Sequence, residues 1–247
     1  MERFACTALV LSGVDYGEAD RVLTLMTQER GRLAAFARGA RKSRRRFAGL
    51  LEPFTLLKAQ LAETRGELCR LDSADLLDAF AGLREDIARA ARAAYAAELT
   101  RELAREREPQ PELFALLRGF YGALAREGAG PLQMMRFELA ALAAGGLMPR
   151  LDACARCGEQ WPGNALFDPE HGGILCARCA AGLGIRVSGP ASQMLAALQR
   201  PEAAQAAPAC AAHVRAEARS LLSRFVAHHL GRRLKSLEFM RQVGVEA

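Results

Sequence analysis

The chain has no run of about eighteen apolar residues free of charge, which leaves no expected transmembrane helix. Its opening, Met1-Glu2-Arg3-Phe4, carries an acid where a secretory leader needs basic residues, and no cleavage site follows; a cytoplasmic protein is expected. There is no Gly-x-x-x-x-Gly-Lys-Ser/Thr loop to cradle nucleotide phosphates and no Gly-x-Ser-x-Gly elbow to present a nucleophile. Histidine is scarce, with four residues at 171, 213, 228 and 229. His228-His229 has no carboxylate pattern nearby, so both read as structural or exposed. No acidic cluster suited to catalytic metal ions is seen, which argues against a nuclease. The acids Glu85-Asp86 read as ion-pairing partners on an arginine-rich helix face. No internal repeat or long disordered tail appears. Taken together, these absences point away from an enzyme.

One local absence is more telling. Between Arg30 and Leu51 there is no acidic residue, while Arg30, Arg32, Arg38, Arg41, Lys42, Arg44, Arg45 and Arg46 all fall there. The net charge is +6 and the sequence pI about 9.2, and this stretch supplies most of the asymmetry. Arginine forks grip phosphate oxygens, Gly39 allows close backbone approach, and Phe36, Phe47 and Phe54 flank the run. Phe54 reads as core at the head of a strand, while Phe47 is open to either role. The segment predicts phosphate-dominated, sequence-tolerant nucleic-acid binding, because nothing indicates base-edge readout. The plainer alternative is a solvated loop.

Seven cysteines are present. Cys6, Cys69 and Cys210 sit singly among apolar neighbours and read as small buried hydrophobes. Cys154/Cys157 and Cys176/Cys179 form two Cys-x-x-Cys pairs, the spacing of a closed four-sulfur site. Gly158 and Gly172-Gly173 supply turns, so the segment reads as a zinc ribbon holding one structural Zn²⁺. Redox dithiols normally open a helix in a βαβ unit, which is not seen here; an iron–sulfur cluster is the weaker metal alternative. His171 reads as a surface residue.

Residues 4 to about 80 predict five short strands: Phe4–Leu11, Arg21–Thr27, Arg32–Ala37, Phe54–Leu61 and Leu68–Leu71. Five such strands suit a small closed barrel. Near residue 80 β-branched residues nearly vanish and helical spacing takes over. One helix runs from Leu83 to Leu103, a second from about Glu112 to Ala125, and a third from Leu132 to Ala144. Ser188-Gly189-Pro190 caps a helix to Leu198, and a final helix carries Val214 to Leu230. The fold class is α+β: an N-terminal barrel over 1–80, a helical domain over 81–150 and 184–247, and a metal-binding insert over 151–183. An Ala/Pro-rich linker spans 199–210.

Tyr16-Gly17-Glu18-Ala19-Asp20, Ala37-Arg38-Gly39-Ala40-Arg41-Lys42-Ser43 and Leu51-Glu52-Pro53-Phe54 resemble the N-terminal signature of the RecO family of bacterial recombination mediators. Gly146 to Asp152 is similar to that family's approach to its zinc motif, and Arg233-Leu234-Lys235-Ser236 to its C-terminal signature. The resemblance implies an OB-fold barrel and a nucleoid-associated protein for DNA repair and recombination. It implies binding of single- and double-stranded DNA and annealing of complementary strands. It further implies work with RecR to load RecA onto strands coated by single-strand-binding protein, whose C-terminal tail would enter an exposed apolar groove of the helical domain. Its DNA contacts fall on Arg38, Arg41 and Lys42. Arg44, Arg45 and Arg46 extend that loop on charge alone, and Arg232, Arg233 and Lys235 form a candidate second patch. The rival reading is a zinc-ribbon transcription or translation factor.

Overall fold

Alternation between core and surface draws the first five strands into a closed barrel. In a computed structural model describing residues 2–43, 47, 49–160, 165–182, 184–200 and 210–246, β3 (Gly31–Ala37) shows the pattern most plainly. Leu33, Ala35 and Ala37 enter the barrel core, while Arg32, Ala34 and Phe36 are only half-buried on the other face. β1 (Arg3–Tyr16) is long enough to serve two neighbours. Its first half pairs antiparallel with β4 (Leu56–Ala62) and its second with β2 (Asp20–Thr27). An irregularity between Val10 and Ser12 bends it, as a small barrel requires. β3 meets β5 (Cys69–Asp78) in parallel at Ala35 and Phe36, closing the order β1-β2-β3-β5-β4. The result is an OB-like barrel, the expected fold class.

Strand limits differ from expectation where cross-strand pairing overrides local breakers. β1 continues across Gly13 because Val14 and Tyr16 pair with Val22 and Asp20. β5 continues to Asp78 along β4. Phe54 does not open β4; it has φ 71° and packs edge-on to Tyr121, with ring centroids 5.7 Å apart.

The predicted first helix is split. Ala81–Leu83 forms a 3₁₀ turn, and Asp86 then caps α1 (Ile87–Leu103), accepting the Arg89 backbone N–H at 2.9 Å. That bond holds the Asp86 carboxyl below its usual range. Asp86 is therefore a helix cap rather than an ion-pairing residue on a helix face. In α2 (Pro111–Glu127), Leu113, Leu117, Tyr121 and Leu124 form a buried stripe at helical spacing. Between the two helices, residues 104–110 run beside β3: the Arg32 N–H donates to the Arg105 carbonyl at 3.2 Å, and the Arg107 N–H to the Arg32 carbonyl at 3.0 Å.

The chain forms two compact units, Met1–Ala129 with Glu238–Val245, and Gly130–Leu237 with the last two residues. The second contains α3 (Pro131–Ala144), a three-stranded sheet of β6 (Ala165–Asp168), β7 (Gly173–Cys176) and β8 (Ile185–Val187), and the short α4 (Ala177–Ala180). It continues with α5 (Gly189–Leu198), capped by Ser188 as its sequence indicates, and α6 (Ala212–Leu230). Glu138 of α3 is fully buried and bonds Arg219 of α6 with both carboxylate oxygens at 2.5 Å. A further helix, α7 (Lys235–Gln242), was not apparent in the sequence. No helix among the described residues is long and apolar enough to cross a membrane.

Candidate nucleic-acid interface and metal centre

After β3 the chain turns sharply at Gly39, whose φ of 68° favours glycine. Its N–H donates to Asp20 Oδ1 at 2.6 Å. The 3₁₀ turn Ala40–Lys42 then docks on the β1–β2 hairpin turn, the Arg41 N–H donating to the Ala19 carbonyl at 2.9 Å. Gly39 thus serves a tight turn, and Asp20, unremarked in the sequence, fixes it. Arg38, Arg41 and Lys42 are all exposed.

These cations have acidic neighbours that sequence distance conceals. Arg41 Nε lies 3.2 Å from Asp15 Oδ2, and Lys42 Nζ 3.8 Å from Glu18 Oε2. Asp15 also receives Arg21, 3.3 Å away. All these acids are at least half exposed, so each pair holds its partner weakly and a phosphate can compete. Arg44, Arg45 and Arg46 lie outside the described residues. Arg232 and Arg233 follow Gly231, the C-cap of α6, and with Lys235 they are exposed in the second unit's sequence.

The three flanking phenylalanines have separate fates. Phe47 is 2% exposed and belongs to the barrel core. Phe54 packs on Tyr121. Phe36 remains half-buried on the barrel exterior, where Tyr16 meets it edge-on at 5.9 Å.

The four paired cysteines converge. Their sulfurs all lie within 4.8 Å of one another. A tetrahedral ion with metal–sulfur bonds of about 2.3 Å spaces its sulfurs about 3.8 Å apart, and Cys157 and Cys176 are 3.8 Å apart. The first knuckle is closed by Gly158 N–H to the Cys154 carbonyl at 2.9 Å, and the second by β7 running into α4. At Gly173, φ is 154° and a Cβ would lie 2.1 Å from the Arg150 carbonyl oxygen, so only glycine permits this approach. Burial raises the Cys154 pKa, but backbone N–H groups of Cys157, Cys176 and Arg156 and the Cys157 thiol outweigh it and bring it to about 6. Cys179 is pushed up to about 12 by hydrogen bonds with Cys176 and Cys157 and by burial. One thiolate forms readily, and the rest need a cation to offset their charge. This donor set fits a metal ion with no open position for water.

The remaining cysteines fit their expected roles in part. Cys6 and Cys69 are fully buried in the barrel core, and burial pushes the Cys6 thiol up to about 12. Cys210 is only half-buried, its Sγ 3.1 Å from Met194 Sδ. His171 is exposed and bonds Asp168 at 2.7 Å, away from the sulfur set.

A groove of about 450 Å³ is a further feature of the first unit. It is lined by Phe80, Phe114, Ala115 and Gly122 and by the cations Arg118 and Arg126, with Asp78 as its acid. The sequence offered no local mark for it, because barrel and α2 residues from distant positions share the lining.

Comparison with known proteins agrees with this architecture. Residues 1–80 match the family model for the recombination protein O N terminal, and residues 84–238 the model for its C terminal. The chain belongs to the RecO family. It is 51% identical to the DNA repair protein RecO of Myxococcus xanthus over the whole of both chains. It is 50% identical to that of Anaeromyxobacter dehalogenans, covering 99% of this chain and 98% of the relative. With the RecO of Geobacter sulfurreducens it shares 36% identity over 98% of this chain and 99% of the relative.

Proposed function

We propose that this RecO-family chain is a non-catalytic mediator of recombinational DNA repair. It binds single- and double-stranded DNA, anneals complementary strands, and with RecR loads RecA onto strands coated by single-strand-binding protein. The observation that carries this reading is the exposed trio Arg38, Arg41 and Lys42 on a turn anchored to an OB-like barrel. Arg44, Arg45 and Arg46 follow at once in the sequence.

Annealing needs no bond-making residue. Two polyanions must approach, and a cationic loop lowers that barrier by neutralising phosphates and releasing their counterions. Asp15 and Glu18 hold Arg41 and Lys42 while no DNA is bound, and phosphate oxygens replace them in the complex. Arg232, Arg233 and Lys235 provide a second basic patch. The barrel segment 1–80 is the DNA-binding domain, and the cysteine segment 151–183 is a brace holding one structural Zn²⁺. The groove beside Phe80 and Phe114 takes the single-strand-binding protein's C-terminal tail, since an apolar lining with two arginines suits an acidic peptide with apolar side chains.

The test is strand annealing with purified protein, without nucleotide, followed by incubation of labelled DNA with magnesium. Acceleration of annealing without cleavage is expected. Cleavage would replace the mediator with a nuclease, and sequence-selective duplex binding without annealing would favour a zinc-ribbon regulatory factor.

A further inference from the structure

The exterior of β1, β2 and β3 carries an apolar row that the barrel core does not use. Val14 pairs with Val22, and Val22 with Phe36, so the three side chains share one face across three strands. Tyr16, two residues beyond Val14, lies on the same face, its ring edge-on to Phe36 at an interplanar angle of 80°. Val14 is 68% exposed and Tyr16 62%. Single exposed apolar residues are ordinary, but four joined across three strands mark a contact surface.

Its setting indicates the occupant. Phe36 stands two residues before the exposed Arg38. Tyr16 directly precedes the turn whose Gly17 and Glu18 carbonyls face the Arg41 guanidinium, at 3.4 and 3.5 Å. Rings and cations therefore share one end of the same hairpin. Stacking surfaces beside phosphate-binding cations are what a single strand with unpaired bases needs. In OB folds generally, the exterior of the second and third strands is where oligonucleotides lie.

We infer that Tyr16 and Phe36, backed by Val14 and Val22, form a base-stacking platform that gives this chain its preference for single-stranded over abasic or duplex DNA. This deepens the proposed function and rests on its reading of the neighbouring loop as the phosphate contact. Phosphates bind the loop cations in any nucleic acid, whereas the platform engages only bases free to unstack.

The test compares oligothymidylate, an abasic oligomer of equal length and a duplex, by fluorescence anisotropy at fixed salt. Tyr16→Ala should weaken oligothymidylate binding about fivefold or more, the lower end for one stacked base. Abasic and duplex affinities should stay at the parent's values, and Tyr16→Trp should keep the parent's behaviour. Because Tyr16 is largely exposed, its replacement leaves the core intact. Equal losses on oligothymidylate and abasic strands, or no loss on either, would overturn the platform. The R38Q/R41Q/K42Q variant separates the two readings, since it should weaken both oligomers alike. If that variant binds both like the parent while Tyr16→Ala keeps its base-specific loss, the loop reading fails and the platform stands.

Discussion

Replacing Arg38, Arg41 and Lys42 together by glutamine removes three of the six cations between residues 38 and 46. For single strands, the logarithm of affinity falls with the logarithm of salt at about 0.7 per phosphate contact. Six contacts give a slope of about −4, and three about −2. A fourfold rise in salt, from about 50 to 200 mM, then weakens the parent about 300-fold and the variant about 20-fold. The folded state should barely notice. The pairs lost, Arg41–Asp15 and Lys42–Glu18, join side chains 43–95% exposed. Such pairs are worth about 0–1 kcal/mol each, and 1 kcal/mol moves the melting temperature of a chain this size by about 2–4 °C. The assay is anisotropy of labelled oligothymidylate across the salt range, with thermal melting as a control. A variant that melts like the parent and keeps its salt slope would remove the loop from the interface.

Three further outcomes follow from the same structure. Asp15→Asn leaves Arg41 with one fewer competitor for phosphate, so DNA affinity at low salt should rise a few-fold, roughly the worth of one exposed ion pair; weaker binding would mean that Asp15 positions Arg41 instead of masking it. Cys154→Ser should abolish stoichiometric zinc, read by metal analysis, and loosen residues 151–183 while the barrel keeps its hydrogen-exchange protection; zinc retained at one equivalent would contradict the four-sulfur site. In the parent, metal retention should fall as pH drops through about 6, where the Cys154 thiolate takes up its proton and competes with the ion. Reversing Arg118 and Arg126 to glutamate should weaken binding of the single-strand-binding protein's tail peptide about tenfold or more, with annealing of bare strands unchanged; equal tail binding would move that contact elsewhere.

What the sequence made legible was mostly local. Alternation in Gly31–Ala37 and helical spacing in Pro111–Glu127 mark those elements without help from distant residues. The cysteine pairs announce their convergence because thiolate chemistry at that spacing has few other uses. Contacts between distant positions were hidden. Asp15 and Glu18 precede the acid-free stretch, yet the hairpin returns them to Arg41 and Lys42. Phe47 adjoins the basic run but is buried with Leu33 and Leu71 in the barrel core. Asp20 gives no local sign that it secures Gly39 nineteen positions later. α7 is short and follows Gly231, whose left-handed φ ends α6, so the helical period restarts too briefly to stand out.

Strand annealing on DNA already coated with the cognate single-strand-binding protein tests the central claim most directly. The parent should anneal coated complementary strands without nucleotide, R38Q/R41Q/K42Q should fail on coated and bare strands alike, and neither should cleave DNA. Annealing by that variant at the parent's rate, or no annealing by the parent, would contradict the account.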